Sequence, residues 1–278
     1  MLPVASFSGV VEFSPGFAPR PGVTHVLFDF DGTLSWLRHG WPEIMLALFR
    51  SQFPARADES EAALRELLLG DILGLNGKPT IFQCHSFSDR VRERGGAAPD
   101  PEQLRQEYQD RLDAAIARRT QAIRSGAKQR DDYVVHGARP LLAKLKQGGL
   151  TSIILSSTIE ERVKEEAELL GLTAFFGRHI YGGTADPRLF SKRAVIDRLL
   201  REEGLTGENV LSFGDGPVEI RDTKAVGGLA IAVASDENHN GSGVMDPFKR
   251  RQLLDAGADA AIADFRDAVA LLDLILRR

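Results

Sequence analysis

The chain has 278 residues, 43% of them hydrophobic and 27% charged, with a net charge of -4 and a sequence pI of about 5.9. That balance suits a folded protein with one substantial core and a smaller second unit, and it offers no global basic field for nucleic acid or an anionic membrane. The lone cysteine, Cys84, excludes an internal disulfide; no apolar run reaches membrane-spanning length and no basic run precedes a long apolar one at the start, so the expected compartment is cytoplasmic.

Residues 1–22, with Pro3, Pro15, Pro19 and Pro21, read as an extended arm without chemistry of its own. The first core strand follows, Val26-Leu27-Phe28, and it delivers Asp29-Phe30-Asp31-Gly32-Thr33. Residues i and i+2 of a strand share a face, so the two carboxylates converge on one small volume and repel each other. A hard divalent cation would relieve that repulsion and leave one carboxylate to attack phosphorus. Asp-Gly between apolar residues is equally a β-hairpin signal, and on this segment alone the two readings carry similar weight.

From about Trp36 to Tyr133 the apolar spacing turns helical, over Glu43 to Phe53, Ser60 to Leu75, Thr80 to Arg94 and Pro101 to Arg124. Arg118, Arg119, Arg124, Lys128 and Arg130 form a local basic stretch that reads as an exposed helix face and loop. Cys84 and His85 are adjacent, but consecutive helical side chains diverge, so packing is the simpler reading of Cys84. Trp36 and Trp41 flank the entry to this segment and read as junction packing more readily than as stacking platforms for a ligand.

From Gly137 onward helices and strands alternate. Helices are expected at Ala138 to Gln147, Glu160 to Leu170, Ser191 to Glu202, Pro217 to Val226 and Arg250 to Asp255. Strands are expected at Thr151 to Leu155, His179 to Tyr181, Val210 to Phe213, Leu229 to Ala234 and Ala260 to Ile262. Such alternation predicts an α/β fold with a parallel sheet covered by helices on both faces. Residues 23–35 and 136–278 then form the sheet core and residues 36–135 an all-helical insertion.

Two later strand ends carry polar groups. Thr151 to Leu155 runs into Ser156-Ser157-Thr158, hydroxyls and amides suited to phosphate oxygens near a helix N-terminus, or to ordinary helix capping. Val210 to Phe213 runs into Gly214-Asp215-Gly216-Pro217-Val218-Glu219, where Pro217 suits a first helical turn and Glu219 would lie near the positive end of the helix dipole. Between them Lys192 alone reads as a solvated helix residue. Ligands of open α/β sheets bind beyond the carboxyl ends of strands, where Asp29, Asp31, Ser156 and Asp215 all fall. The loop Ser235 to Gly241 follows another strand on that side, as a pocket wall or a polar turn.

In order, Asp29-x-Asp31-Gly32-Thr33, strand-Ser156, Lys192 and Gly214-Asp215-x-x-x-Glu219 resemble the motif series of the haloacid dehalogenase superfamily, with Glu219 where many members have Asp. The resemblance implies a Rossmann-like core with a helical cap inserted after the first strand and closing over the site. It also implies a phosphatase for a small phosphorylated metabolite, a sugar phosphate among the candidates, working through an aspartyl-phosphate. Asp29 would be the nucleophile and Asp31 the general acid and base. Mg²⁺ would be held by the Asp29 carboxylate, the Asp31 carbonyl, Asp215 and Glu219, the last as ligand or water anchor. Ser156, the amides around Ser157 and Lys192 would hold the phosphate, with Gly32 allowing close approach and Thr33 offering an orienting hydroxyl. Arg38, His39, Asn76 and Lys78 are the cap residues expected to meet the leaving group. Partners among nucleic acids or membranes are not expected, and membrane-bound ion pumps of the superfamily are excluded. Dehalogenation ranks low, because halide departure needs no proton from Asp31. A phosphomutase, and a noncatalytic module with the same fold, are the alternatives.

Overall fold

The computed structural model describes residues 7–54, 56, 58–76, 78–184 and 190–277. The first six residues of the expected N-terminal arm, and Gly77 of the loop between two expected helices, lie outside the described residues. The chain divides into two compact units, Met1–Leu37 with Ala122–Arg278, and Arg38–Gln121.

The first unit is built on a seven-stranded sheet: β1 Val11–Phe13, β2 His25–Phe28, β3 Thr151–Ile159, β4 Ile180–Gly183, β5 Val210–Gly214, β6 Leu229–Val233 and β7 Ala260–Ile262. Their order across the sheet is β1-β7-β6-β5-β2-β3-β4, and all pairs are parallel except β1 with β7. Every residue of β2, β5, β6 and β7 is buried, as a parallel sheet covered on both faces requires. The helices are α5 Ala138–Gln147, α6 Glu160–Leu169, α7 Thr173–Phe176, α8 Lys192–Glu202, α9 Pro217–Ala225, α10 Pro247–Asp255 and α11 Ala268–Leu276.

Strand alternation sorts these helices between the two faces. Val26, Phe28, Ile154, Ile231 and Val233 share one core with Leu141 of α5, Val163 of α6, Phe176 of α7 and Leu271 of α11. Leu27, Ile153 and Leu155 point the other way, onto Ile196 and Leu199 of α8. Ala230 and Ala232 meet Ile220 of α9 and Leu253 of α10 on that same side. The first core carries an aromatic cluster in which Phe28 stacks on Phe213 at 5.3 Å and Phe213 meets Phe265 at 5.4 Å.

The second unit is all-helical over its described residues: α1 Trp41–Gln52, α2 Glu61–Gly74, α3 Thr80–Glu93 and most of α4 Pro101–Arg124. Its core is separate, with Met45, Phe49, Leu68, Cys84, Phe87 and Leu104 buried together and Phe49 stacked on Phe87 at 4.1 Å. Cys84 is thus a packing residue, its thiol pushed up to about 11 by burial, while His85 is exposed. Arg118, Arg124, Lys128 and Arg130 are exposed.

Several elements differ from the sequence expectation. The arm supplies β1, whose three residues pair antiparallel with β7. The largely apolar run Ala268–Leu276 forms α11, an element absent from the sequence expectation. The helical unit ends at Gln121 rather than near residue 135, because Ile123 and Val134 are buried in the sheet unit's core and Trp36 and Tyr133 pack against it. Among the described residues no helix is long and apolar enough to cross a membrane.

Candidate active site

Register gathers the chemistry at one edge of the sheet. Phe28 of β2 lies opposite Ile154 of β3 and Phe213 of β5, so Asp29, Ser156 and Asp215, one or two residues further on, emerge side by side. The Asp29 amide donates to the Phe213 carbonyl at 3.0 Å, and the chain then closes a turn in which the Leu34 and Ser35 amides donate to the Phe30 carbonyl. β2 has only parallel neighbours, so the Asp-Gly pair does not form a hairpin.

Gly32 sits in that turn with φ at 77°. A Cβ there would meet Asp215 Oδ2 at 2.1 Å, so any side chain would displace the Asp215 carboxylate from the turn. The pleat and this glycine together bring acids that are distant in sequence into one cluster. Oxygen atoms of Asp29, Asp215 and Glu219 all lie within 4.8 Å of one another.

Lys192, buried at the first turn of α8, donates to Asp29 Oδ1 at 2.7 Å and to Glu219 Oε2 at 3.3 Å. Burial raises the Asp29 carboxyl well above the usual carboxylate range; Lys192 opposes this and the charges of Glu219 and Asp215 add to it. Burial works against the Lys192 ammonium too, but Asp29 and Glu219 outweigh it and hold the lysine charged above its ordinary range. Glu219 stands at the third position of α9, where its Oε1 accepts from the Gly216 amide at 2.6 Å. It therefore caps its helix and faces the acid cluster at once.

Asp31 is placed differently. Its carboxylate accepts from the Thr158 hydroxyl at 2.8 Å and does not belong to the acid trio. β3 continues to Ile159, beyond the expected end at Leu155, so Ser156, Ser157 and Thr158 are strand residues rather than caps, and α6 begins after Ile159 without a side-chain cap. Ser156 is buried, and its Oγ accepts from the Thr158 amide at 3.1 Å; Ser157 is exposed.

Asp215 is held on both oxygens. Thr33 donates to Oδ1 at 3.2 Å and Lys249 to Oδ2 at 3.1 Å. Lys249, from the first turn of α10, also donates to Ser235 Oγ at 3.3 Å and pairs with Glu237 at 2.5 Å. Ser235 in turn donates to the Gly32 carbonyl at 2.9 Å. Lys249 was invisible to motif reading, since a single lysine in Phe248-Lys249-Arg250-Arg251 looks solvated. Its available signal was Asp246-Pro247, an N-cap and first-turn pair that starts α10 before the expected Arg250 and turns Lys249 inward.

The cluster offers only carboxylate oxygens, a donor set that suits a hard divalent cation such as Mg²⁺ rather than a soft metal. Of the remaining predicted residues, Arg38, His39, Asn76 and Lys78 belong to the helical unit; Lys78 is exposed and the other three are partly buried. Trp36 packs against the sheet unit's core and donates to the Asp236 carbonyl at 3.3 Å, and Trp41 packs in the helical core, so both are packing residues.

Solved structures share this fold at low sequence identity. A conserved haloacid dehalogenase-like protein from Agrobacterium tumefaciens is 17% identical with a TM-score of 0.61, covering 90% of this chain and 98% of its own. A predicted phosphoglycolate phosphatase from Haemophilus somnus is 14% identical, at 0.58, over 90% and 98%. A putative beta-phosphoglucomutase from Thermotoga maritima is 17% identical, at 0.54, over 90% and 99%. A search of curated proteins found no match. The family model for haloacid dehalogenase-like hydrolases matches residues 23–227, from the strand that bears Asp29 to just past the helix that bears Glu219, and the chain belongs to that family.

Proposed function

We propose that the protein is a Mg²⁺-dependent phosphatase that hydrolyses a small phosphorylated metabolite through an aspartyl-phosphate on Asp29. The observation that carries this reading is the buried Asp29 carboxylate, bonded to Lys192 at 2.7 Å and clustered with Asp215 and Glu219. Like charges so close in a poorly solvated site need a use, and in a hydrolase of this family phosphoryl transfer supplies one.

An Asp29 oxygen attacks phosphorus while the bond to the leaving oxygen breaks, and Asp31 delivers its proton to that oxygen. Asp31 then takes a proton from water as the water oxygen attacks the phosphoryl group, the Asp29–phosphorus bond breaks and phosphate leaves. Thr158, bonded to Asp31, orients the carboxyl for both transfers. Ser156, the Ser157 amide and Lys192 hold the nonreacting oxygens, and Thr33 steadies Asp215. Asp29, Asp215, Glu219 and the Asp31 carbonyl would hold the cation, which when bound supplies Lewis-acid neutralisation of the phosphoryl oxygens. Leaving-group recognition is assigned to the helical unit, through Arg38, His39, Asn76 and Lys78.

The likeness to a protein titled a putative beta-phosphoglucomutase gives a second reading, in which the same phosphoryl group returns to another substrate hydroxyl. One experiment separates them. A panel of sugar, nucleotide and small-acid phosphates, assayed with Mg²⁺ and with chelator, should give free phosphate from at least one member only when Mg²⁺ is present. Isomerised sugar phosphate without phosphate release establishes the mutase, and no turnover of any ester under either condition contradicts both.

A further inference from the structure

Resting on the reading of Asp215 as a cation ligand, the geometry points to Lys249 as the residue that positions it. The side chain begins at the third position of α10, where the Asp246 carboxylate accepts from the Phe248 and Lys249 amides. A helix N-terminus disfavours an ammonium group, and a lysine there ordinarily extends to solvent. Lys249 is only 3% exposed.

Burying that charge against the helix dipole is unfavourable unless it is matched, and three acceptors match it. Glu237 Oε1, Asp215 Oδ2 and Ser235 Oγ, at 2.5, 3.1 and 3.3 Å, account for the three ammonium protons. Pairing with Glu237 alone would neutralise the lysine. It would not explain why the ammonium reaches Asp215 or why Ser235, its third partner, also grips the Gly32 carbonyl.

The arrangement makes sense as a clamp on one carboxylate. Thr33 holds Asp215 Oδ1, Lys249 holds Oδ2, and the bare Cα of Gly32 lets Oδ2 lie where a Cβ would be 2.1 Å away. Each carboxylate oxygen has about two lone-pair sites, so the clamp fixes the torsion of Asp215 and leaves acceptor capacity for a cation. Lys192 does different work, because it touches Asp29 and Glu219. One buried lysine spans Asp29 and Glu219, and the other holds Asp215.

Positioning and plain electrostatics predict opposite signs. If Lys249 were only a nearby positive charge, removing it would draw a divalent cation in more tightly. If it positions Asp215, removal weakens binding, by the roughly 10–100-fold typical of residues that orient a metal ligand. The test is Mn²⁺ binding to the full chain, read by electron paramagnetic resonance on wild type and Lys249→Met, with circular dichroism to establish folding. The expected result is at least about a tenfold rise in the Mn²⁺ dissociation constant. The Mg²⁺ concentration for half-maximal turnover should rise with it, while kcat at saturating Mg²⁺ changes far less. Unchanged or tighter Mn²⁺ binding by folded Lys249→Met overturns the inference. Should that variant not fold, Lys249→Gln decides: the amide can still donate to Asp215 but not to all three partners, so several-fold weaker binding supports the role and unchanged binding overturns it. Failure of wild type to bind Mn²⁺ at all would instead contradict the cation site itself.

Discussion

The two ends of the same sheet handle buried charge in opposite ways. At the amino-terminal end a charge has a single opposite: Lys224 donates to both oxygens of Asp259 at 2.7 and 2.8 Å, and the Ala230 amide adds a third bond at 2.8 Å. At the carboxyl-terminal end each ammonium is shared between two acids: Lys192 donates to Asp29 and Glu219, and Lys249 meets Asp215 and Glu237. A balanced pair is explicable as structure, since breaking it would strand a charge. Two acids drawn to one ammonium are less simply explained, because the carboxylates also repel each other. The shared ammonium groups lie at the end proposed to carry the chemistry, and the single pair lies at the end that holds the sheet.

The largest expected effect comes from removing one acid of these shared groups. Asp29→Asn should lower phosphate release by about three orders of magnitude or more, the scale on which loss of a nucleophile is felt. The same change should raise the thermal midpoint measured in chelator. Because burial raises the Asp29 carboxyl in the folded chain, the folded state binds that proton more tightly than the unfolded one. The stability linked to this group is therefore present at low pH and is lost as pH rises above the unfolded value, so at neutral pH the charge is a cost that Asn removes. A lower midpoint would show that Lys192 gains more from Asp29 than burial costs.

At the other end the signs reverse and the effect shrinks. Asp259→Ala should cost about 2–3 kcal/mol in denaturant unfolding, by stranding Lys224 and the Ala230 amide, with kcat essentially that of wild type. A matched loss of rate would mean that the two ends are not independent.

The sheet and most of the acid cluster were legible because both obey local rules. Continuous apolar runs such as Leu229-Ala230-Ile231-Ala232-Val233 have few alternatives to a buried strand, and Asp29 and Asp215 stand directly after such runs, where topology puts ligands. Lys192 became legible only through its place between motifs. Other features depended on partners distant in sequence. Val11–Phe13 is a strand because β7 offers it an edge, and proline around it argued only for an arm. The nine residues of α11, all apolar but Asp273, carry too weak a polar face to show helical period, since most are buried against the core. Lys249 and Ser235 are ordinary residues whose roles come from packing beside Asp215 and Gly32.

The measurement that bears most directly on the central claim is rapid-quench peptide mapping by mass spectrometry, during turnover of whichever phosphate ester the panel identifies, with Asp29→Asn as control. An aspartyl-phosphate route requires an acid-stable, base-labile phosphoryl group on the peptide that carries Asp29, transient in wild type and absent from the variant. Turnover with no phosphoryl group on Asp29, or Asp29→Asn releasing phosphate at the wild-type rate, would contradict it.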